Sequence, residues 1–226
     1  MAYQLQPRPG FGYGSNAPAI PIQSLLGQVL GITGLGLIIT AIAVYFLQSW
    51  QQPFGVGLIA MIASFILLFA INGVRHNEPL ALILYYAFTF LMGVWIAPVV
   101  GHYMSAIGPG VVYEAAATTG LGMFALAAIV YATGLDLRRF AGFFFLALIG
   151  LVLAGIVSIF THWIHPTTYA WLTLAIFTGL VLIDFARIRA GGDGFTPVQL
   201  AVQIYLDAIN IFLALLQIFG GRRSNN

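Results

Sequence analysis

The sequence predicts an all-α, polytopic membrane protein in which seven helices cross the bilayer. Three observations carry that prediction. Hydrophobic residues make up 61% of the 226 and charged residues only 6%, against about 25% charged in a soluble domain. Apolar runs of roughly 20 residues, each long enough to cross the hydrocarbon layer as a helix, recur along the whole chain. The short alternating segments of a membrane β-barrel are absent.

The opening stretch MAYQLQPRPGFGYGSNAPAIPI, residues 1–22, is rich in Pro, Gly, Asn and Gln, and Arg8 is its one charge. It lacks the charged start, short apolar core and cleavage site of a secretory signal. It is expected to form a flexible N-terminal tail, with a transmembrane domain over 23–221 and a short C-terminal tail over 222–226. The apolar runs cover 25–47, 54–71, 80–99, 111–131, 140–160, 169–188 and 198–219. Between them lie SWQQP, NGVRHNEP, HYMSAIGPG, TGLDLRR, THWIHPTT and RAGGDGFTP, dense in the Gly, Pro, Asn and Asp of turns. Pro197 suits the first turn of the last helix, where its missing amide hydrogen costs nothing. Gly31, Gly34, Gly36, Gly120, Gly122, Gly150 and Gly155 read as ordinary membrane-helix glycines that permit close backbone approach.

Arginine placement sets the orientation. Arg75, Arg138, Arg139, Arg187 and Arg189 lie in or beside the second, fourth and sixth connections, whereas the first, third and fifth contain no Lys or Arg. Basic residues are retained in the cytoplasm, so the even connections and the N-terminus are placed there. Seven crossings then put Arg222 and Arg223 outside, against the same rule. If one of the runs only dipped into the membrane, the C-terminus would return to the cytoplasm.

The last run carries Gln199, Gln203, Asp207, Asn210 and Gln217, with small Ala214 between the last two. Steps of four, four, three, four and three keep these positions on one helical face. Asp207 lies ten residues from Pro197, or about 15 Å along the axis, near mid-membrane. An acid there costs about 2.5–3.5 kcal/mol on insertion scales, so it must be neutralised, paired or hydrated. Three residues are candidates for its company: Asp184 near the cytoplasmic end of the sixth helix, Glu114 near the outer end of the fourth, and Arg75, whose stem can reach inward. Depth and a short connection favour Asp184. Two carboxyl groups facing each other in low dielectric cannot both ionise comfortably, so one proton is shared and the pair becomes a proton switch. The plainer reading pairs Asp184 with Arg187 as a helix-end ion pair and leaves Asp207 bonded to Asn210 or a neighbouring helix.

Other motifs point away from further chemistry. There are no cysteines, which excludes disulfides and thiolate sites. His162 and His165, beside Trp163 and Tyr169, and the separate His102 suit interface anchors better than metal ligands, and His76 lies on the other side. The stretch RAGGDGF lacks the strand and Lys of a phosphate loop and reads as a tight connection with Asp193 exposed. A net charge of +2 with scattered arginines gives no nucleic-acid surface.

The closing stretch QIYLDAINIFLALLQIFG resembles the last-helix signature of the Bax inhibitor-1 family, in which Tyr-Leu-Asp is followed by an Ile-Asn pair and an aromatic-apolar tail. VLIDFARI resembles the acidic segment that precedes it, with Ile183 where Tyr is usual. YYAFTFLMGVWIAPVVGHYMSAIGPGVVYEA, TGLDLRRFAGFFFLALIG and ITGLGLIITA resemble the family's third, fifth and first helices, so the likeness covers 25–220. Ser64 stands where a relative can carry an acid. The resemblance implies seven helices with the last one central, acting in bacterial members as a pH-sensitive calcium leak in the inner membrane. It implies a gating pair on Asp184 and Asp207, a partner arginine on Arg75, and supporting polar residues on Asn210 and Glu114, to which the polar stripe adds Gln203.

The expected function is therefore a pH-sensitive calcium or cation pathway through the bilayer. Asp184 and Asp207 supply oxygen ligands suited to a hard ion, calcium and protons are its partners, and no cofactor is needed. The alternative is a regulatory scaffold that binds another membrane protein, such as a protease. An enzyme is not expected, because neither a Glu-flanked histidine pair nor a Gly-x-Ser-x-Gly nucleophile turn is present.

Overall fold

The computed structural model describes residues 22–50 and 53–224, so the tail expected over 1–22 lies outside the described residues apart from Ile22. Seven long helices are found there: α1 (Ile22–Leu47), α2 (Phe54–Gly73), α3 (Glu78–Ala106), α4 (Pro109–Thr133), α5 (Ala141–Thr161), α6 (Pro166–Arg189) and α7 (Pro197–Ser224). All seven are long and apolar enough to cross a membrane. Local chemistry explains their starts. The Asn77 side chain accepts from the Leu80 amide at the head of α3, and proline occupies the first turn of α3, α4 and α6. At the head of α7 the Thr196 amide donates to Gln199 Oε1 and the Gln199 amide to Thr196 Oγ1, a reciprocal cap that satisfies two otherwise unpaired donors.

Two helices outrun their expected ends. Residues His102, Tyr103 and Ser105, read as connection, belong to α3, because their polarity marks the membrane interface and no Gly-Pro break comes before Gly108 and Pro109. α7 continues through Arg222 and Arg223, which were expected in a tail. The second of these is paired: Arg223 Nη2 donates to Glu114 Oε2 on α4 at 2.7 Å, so its charge is matched locally.

α7 occupies the centre. In its apolar stretch 61% of the residues are buried, against 6% in α5, and it contacts α1, α3, α4 and α6. α5 packs against α6 and the 3-10 turn at Arg138–Phe140, with Gly179 on α6 leaving room for the Phe144 ring. The α1–α3 seam is closest. A Cβ at Gly93 would lie 2.6 Å from Ala43 Cβ and 2.8 Å from the Thr40 carbonyl oxygen, and one at Gly101 would strike the carbonyl oxygen of Gln48. With buried Ala97 between them, these small residues recur every fourth position along α3 and let two backbones touch where lipid supplies no hydrophobic drive. Of the glycines singled out in the sequence, Gly36 meets Tyr85 and Gly155 meets Tyr169, whereas Gly31, Gly34, Gly120, Gly122 and Gly150 face open space.

Hydroxyl groups tie α7 to this seam. Thr40 Oγ1 donates toward the Thr89 carbonyl oxygen at 2.8 Å and shares a 2.6 Å hydrogen bond with Tyr205 OH. The Tyr205 ring packs edge-on against Tyr85 and Phe88 of α3. At the opposite end of the bundle, Arg189 donates to the carbonyl oxygens of Val130 and Gly134, closing the C-terminus of α4. Arg138 binds Asp136 at 2.7 Å and Asp193 at 2.8 Å, joining the α4–α5 and α6–α7 connections. Asp193 is thus paired as well as exposed. The side-chain and backbone hydrogen bonds from Arg138 hold the Asp136 carboxyl down to about 2. Whatever stability this link adds is in force above the ordinary carboxylate range and is lost as pH falls through about 2.

The seam yields a discriminating test. Gly101→Ala and Gly93→Ala should each destabilise the protein by about 1–3 kcal/mol in thermal or denaturant unfolding, since the added methyl meets backbone that cannot swing away. Gly34→Ala, with nothing within 4 Å of the new atom, should change stability by less than about 0.5 kcal/mol.

Candidate functional site

The α6–α7 connection is short because four successive residues adopt left-handed backbone: Gly191, Gly192, Asp193 and Gly194 have φ of 93°, 93°, 50° and 80°. Glycine carries such angles at no steric cost. The return is antiparallel, and it sets a register in which Arg187 lies opposite Gln203 and Asp184 opposite Asp207. These four side chains form two rungs, one helical turn apart.

The upper rung is acidic. Asp184 is 6% exposed and Asp207 4%, and their carboxyl groups are within hydrogen-bonding reach of each other. Asp207 Oδ2 is buried without a hydrogen-bond partner. Two charged carboxylates in this setting would repel each other with little water to screen them, so the contact is a costly one. The lower rung is basic. Arg187 Nη1 donates to Asp184 Oδ1 at 2.8 Å and to Gln203 Oε1 at 2.7 Å. Its guanidinium lies over the Phe195 ring, 5.1 Å from the centroid. The pairing of Asp184 with Arg187 and the meeting of the two acids, set out above as alternatives, occur together.

Depth departs from the simple count along α7. Asp184 lies five residues from the end of α6, about 7.5 Å along the axis. Asp207 precedes the midpoint of α7 by three residues or so, about 5 Å. The first turn of α7 extends below the end of α6, so the pair sits in the half of the bundle nearer the α6–α7 connection rather than at its middle.

Arg75 does not join the pair. It is exposed in the turn after α2, where its Nε donates to His76 Nε2 at 3.2 Å. Arg187, on the same helix as Asp184, holds the position expected of it. The spacing of three between Asp184 and Arg187 was the legible signal; the reach to Gln203 depended on helix register. The link from α2 to α7 is instead neutral: Gln199 Nε2 donates to Asn72 Oδ1 at 2.9 Å. Asn210 Nδ2 turns back to the Leu206 carbonyl oxygen at 2.8 Å. Glu114 pairs with Arg223 near the C-terminal end of α7, sixteen residues from Asp207. Ser64 is buried and bonds the Ala60 carbonyl oxygen of its own helix at 2.6 Å.

Two cavities flank the centre. A groove of about 680 Å³ between α1 and α4 is walled by apolar side chains such as Leu37, Val44, Met123 and Phe212. An outer pocket of about 560 Å³ collects His102, Tyr103, His165, Thr167, Gln217 and Arg223. Asp184 and Asp207 line neither, so their carboxyl groups are shut away from both. His165 Nδ1 accepts from the Thr167 amide and caps α6. Among the described residues no three His, Cys, Asp or Glu side chains converge on a metal-sized site.

Residues 22–224 match the protein family described as Inhibitor of apoptosis-promoting Bax1. The inner membrane protein YbhL of Escherichia coli strain K12 is 27% identical over 231 residues, covering 91% of this chain and 95% of the relative. An uncharacterized membrane protein of Streptococcus pyogenes serotype M6 is 26% identical over 223 residues, covering 89% and 94%. An uncharacterized protein of Helicobacter pylori strain J99 is 26% identical over 185 residues, covering 81% and 80%. With seven candidate spans and such relatives, this is an integral protein of the bacterial inner membrane. The family match takes in every helix from α1 to α7, and the chain belongs to the Bax inhibitor-1 family of membrane proteins.

Proposed function

We propose that the protein is a proton-controlled cation pathway, passing calcium across the bacterial inner membrane, with Asp184 and Asp207 as its gate. The observation that carries this reading is the contact between two buried carboxyl groups on neighbouring helices, one of them with an oxygen lacking any hydrogen-bond partner. Intramembrane acids are costly and are retained where ions or protons move. Such a pair has two states with different shapes. With one proton it is a hydrogen-bonded link between α6 and α7; without it, two like charges press the helices apart or draw in a cation.

The donor set fits passage better than storage. Calcium takes six to eight oxygens, and a tight site supplies most of them from protein. Here two carboxylates and the Gln203 amide oxygen are the side-chain oxygens at hand. Water and backbone carbonyls would complete the shell, and an ion held so loosely can leave.

Purified protein in calcium-dye vesicles tests the proposal. Uptake should fall to the background of empty vesicles in Asp207→Ala, and by about tenfold or more in Asp184→Asn, since each removes half of a coupled site. Wild-type uptake no greater than that of Asp207→Ala at every pH would remove the reading. The sign of the pH dependence follows from the shared proton. Uptake should rise as pH rises and the proton leaves, and Asp184→Asn, with one carboxyl left beside Arg187, should flatten that rise.

A further inference from the structure

We infer that Arg187 is a tethered cation occupying the place a mobile ion would take at the acidic pair, and that it sets the pathway's resistance to divalent ions. The inference rests on the proposed reading and adds a determinant that the acids alone do not supply. It also departs from the arrangement the family resemblance implies, in which Arg75 would fill that role.

The geometry is specific. The guanidinium makes two short hydrogen bonds, to Asp184 on its own helix and to Gln203 on α7, and rests on the face of Phe195 in the connection below. It therefore lies one turn from the acids, between them and the α6–α7 connection. Three other arginines toward this end are engaged elsewhere: Arg189 with α4 carbonyl oxygens, Arg138 with Asp136 and Asp193, and Arg75 with His76. Among the described ion pairs, Arg187 alone involves the acidic pair.

Charge counting gives the consequence. Asp184, Asp207 and Arg187 together carry no net charge while the acids share a proton, and one negative charge once it has gone. A proton or a monovalent ion restores neutrality. A divalent ion entering beside the guanidinium leaves an uncompensated positive charge in a desolvated site, which is strongly unfavourable. Divalent entry therefore requires Arg187 to withdraw. Its side chain is 19% exposed, against 8% for Asp184, and a long flexible stem lets the head swing toward cytoplasmic water. Withdrawal breaks both hydrogen bonds and the ring contact, so the residue works as a latch that divalent ions must lift.

Parallel calcium and sodium uptake into vesicles carrying the full-length protein tests this. Arg187→Gln should raise calcium uptake relative to sodium by about tenfold, the equivalent of one lost charge-assisted bond. Arg187→Lys, which keeps the charge, should stay near wild type. The double variant Arg187→Gln with Asp207→Ala should lose the gain. Gln203→Ala leaves every charge in place and frees the guanidinium from α7; it should shift the ratio in the same direction by a smaller factor, and it decides the matter if Arg187→Gln does not fold. A calcium-to-sodium ratio unchanged in both Arg187→Gln and Gln203→Ala, with uptake still dependent on Asp207, would overturn the inference and leave the proposed function standing. Uptake independent of Asp207 in every variant would overturn both.

Discussion

The register between α6 and α7 is the constraint on which the site depends. A turn built from Gly191, Gly192, Asp193 and Gly194 reverses the chain in few residues, and the two helices then pair position against position. Slipping one helix by a single residue would rotate its side chains by about 100° and separate the carboxyl groups. The loop thus matters to the chemistry although it carries none of it. Arg138, which fastens this connection to the one before α5, helps hold the same alignment from the end of the bundle.

α7 serves two neighbourhoods from opposite faces. Two residues along a helix turn the side chain by about 200°, so Tyr205 points to the α1–α3 seam while Asp207 points to α6. On one side are rings and a hydroxyl bonded to Thr40; on the other are acids and a guanidinium. The central helix carries the polar stripe without exposing it to lipid, because nearly every position is covered by a neighbour. Most of the stripe is spent on fixed partners: Gln199 on Asn72, Gln203 on Arg187, Asn210 on its own backbone. Asp207 Oδ2 stands apart as an acceptor with no partner.

Much of this was legible in the sequence, for reasons that also mark where legibility stops. Hydrophobic run length fixes the number of spans because lipid leaves no other place for a run of that length, and the polar steps along 199–217 mark the inward face of α7. The acidic pair followed from depth and loop length. What sequence alone left open were distances between helices. Arg75 was expected near the acids because its stem is long, but α2 packs on α3, away from α6. Glycine counts singled out Gly34 and Gly120, which touch nothing, and passed over Gly93 and Gly101, which set the tightest contact. Close approach depends on which faces meet, and a single chain's composition does not encode that.

The α1–α3 seam has a mechanical corollary. Two helices in backbone contact cannot slide or tilt without collision, and the Tyr205 hydroxyl pins α7 to them, so these three make a stationary frame. Any parting of the acids then falls to α6, and α5, which leans on α6, must ride with it as a passenger. The protein would move less like an iris, with all parts turning together, than like a door leaf swinging from a fixed post.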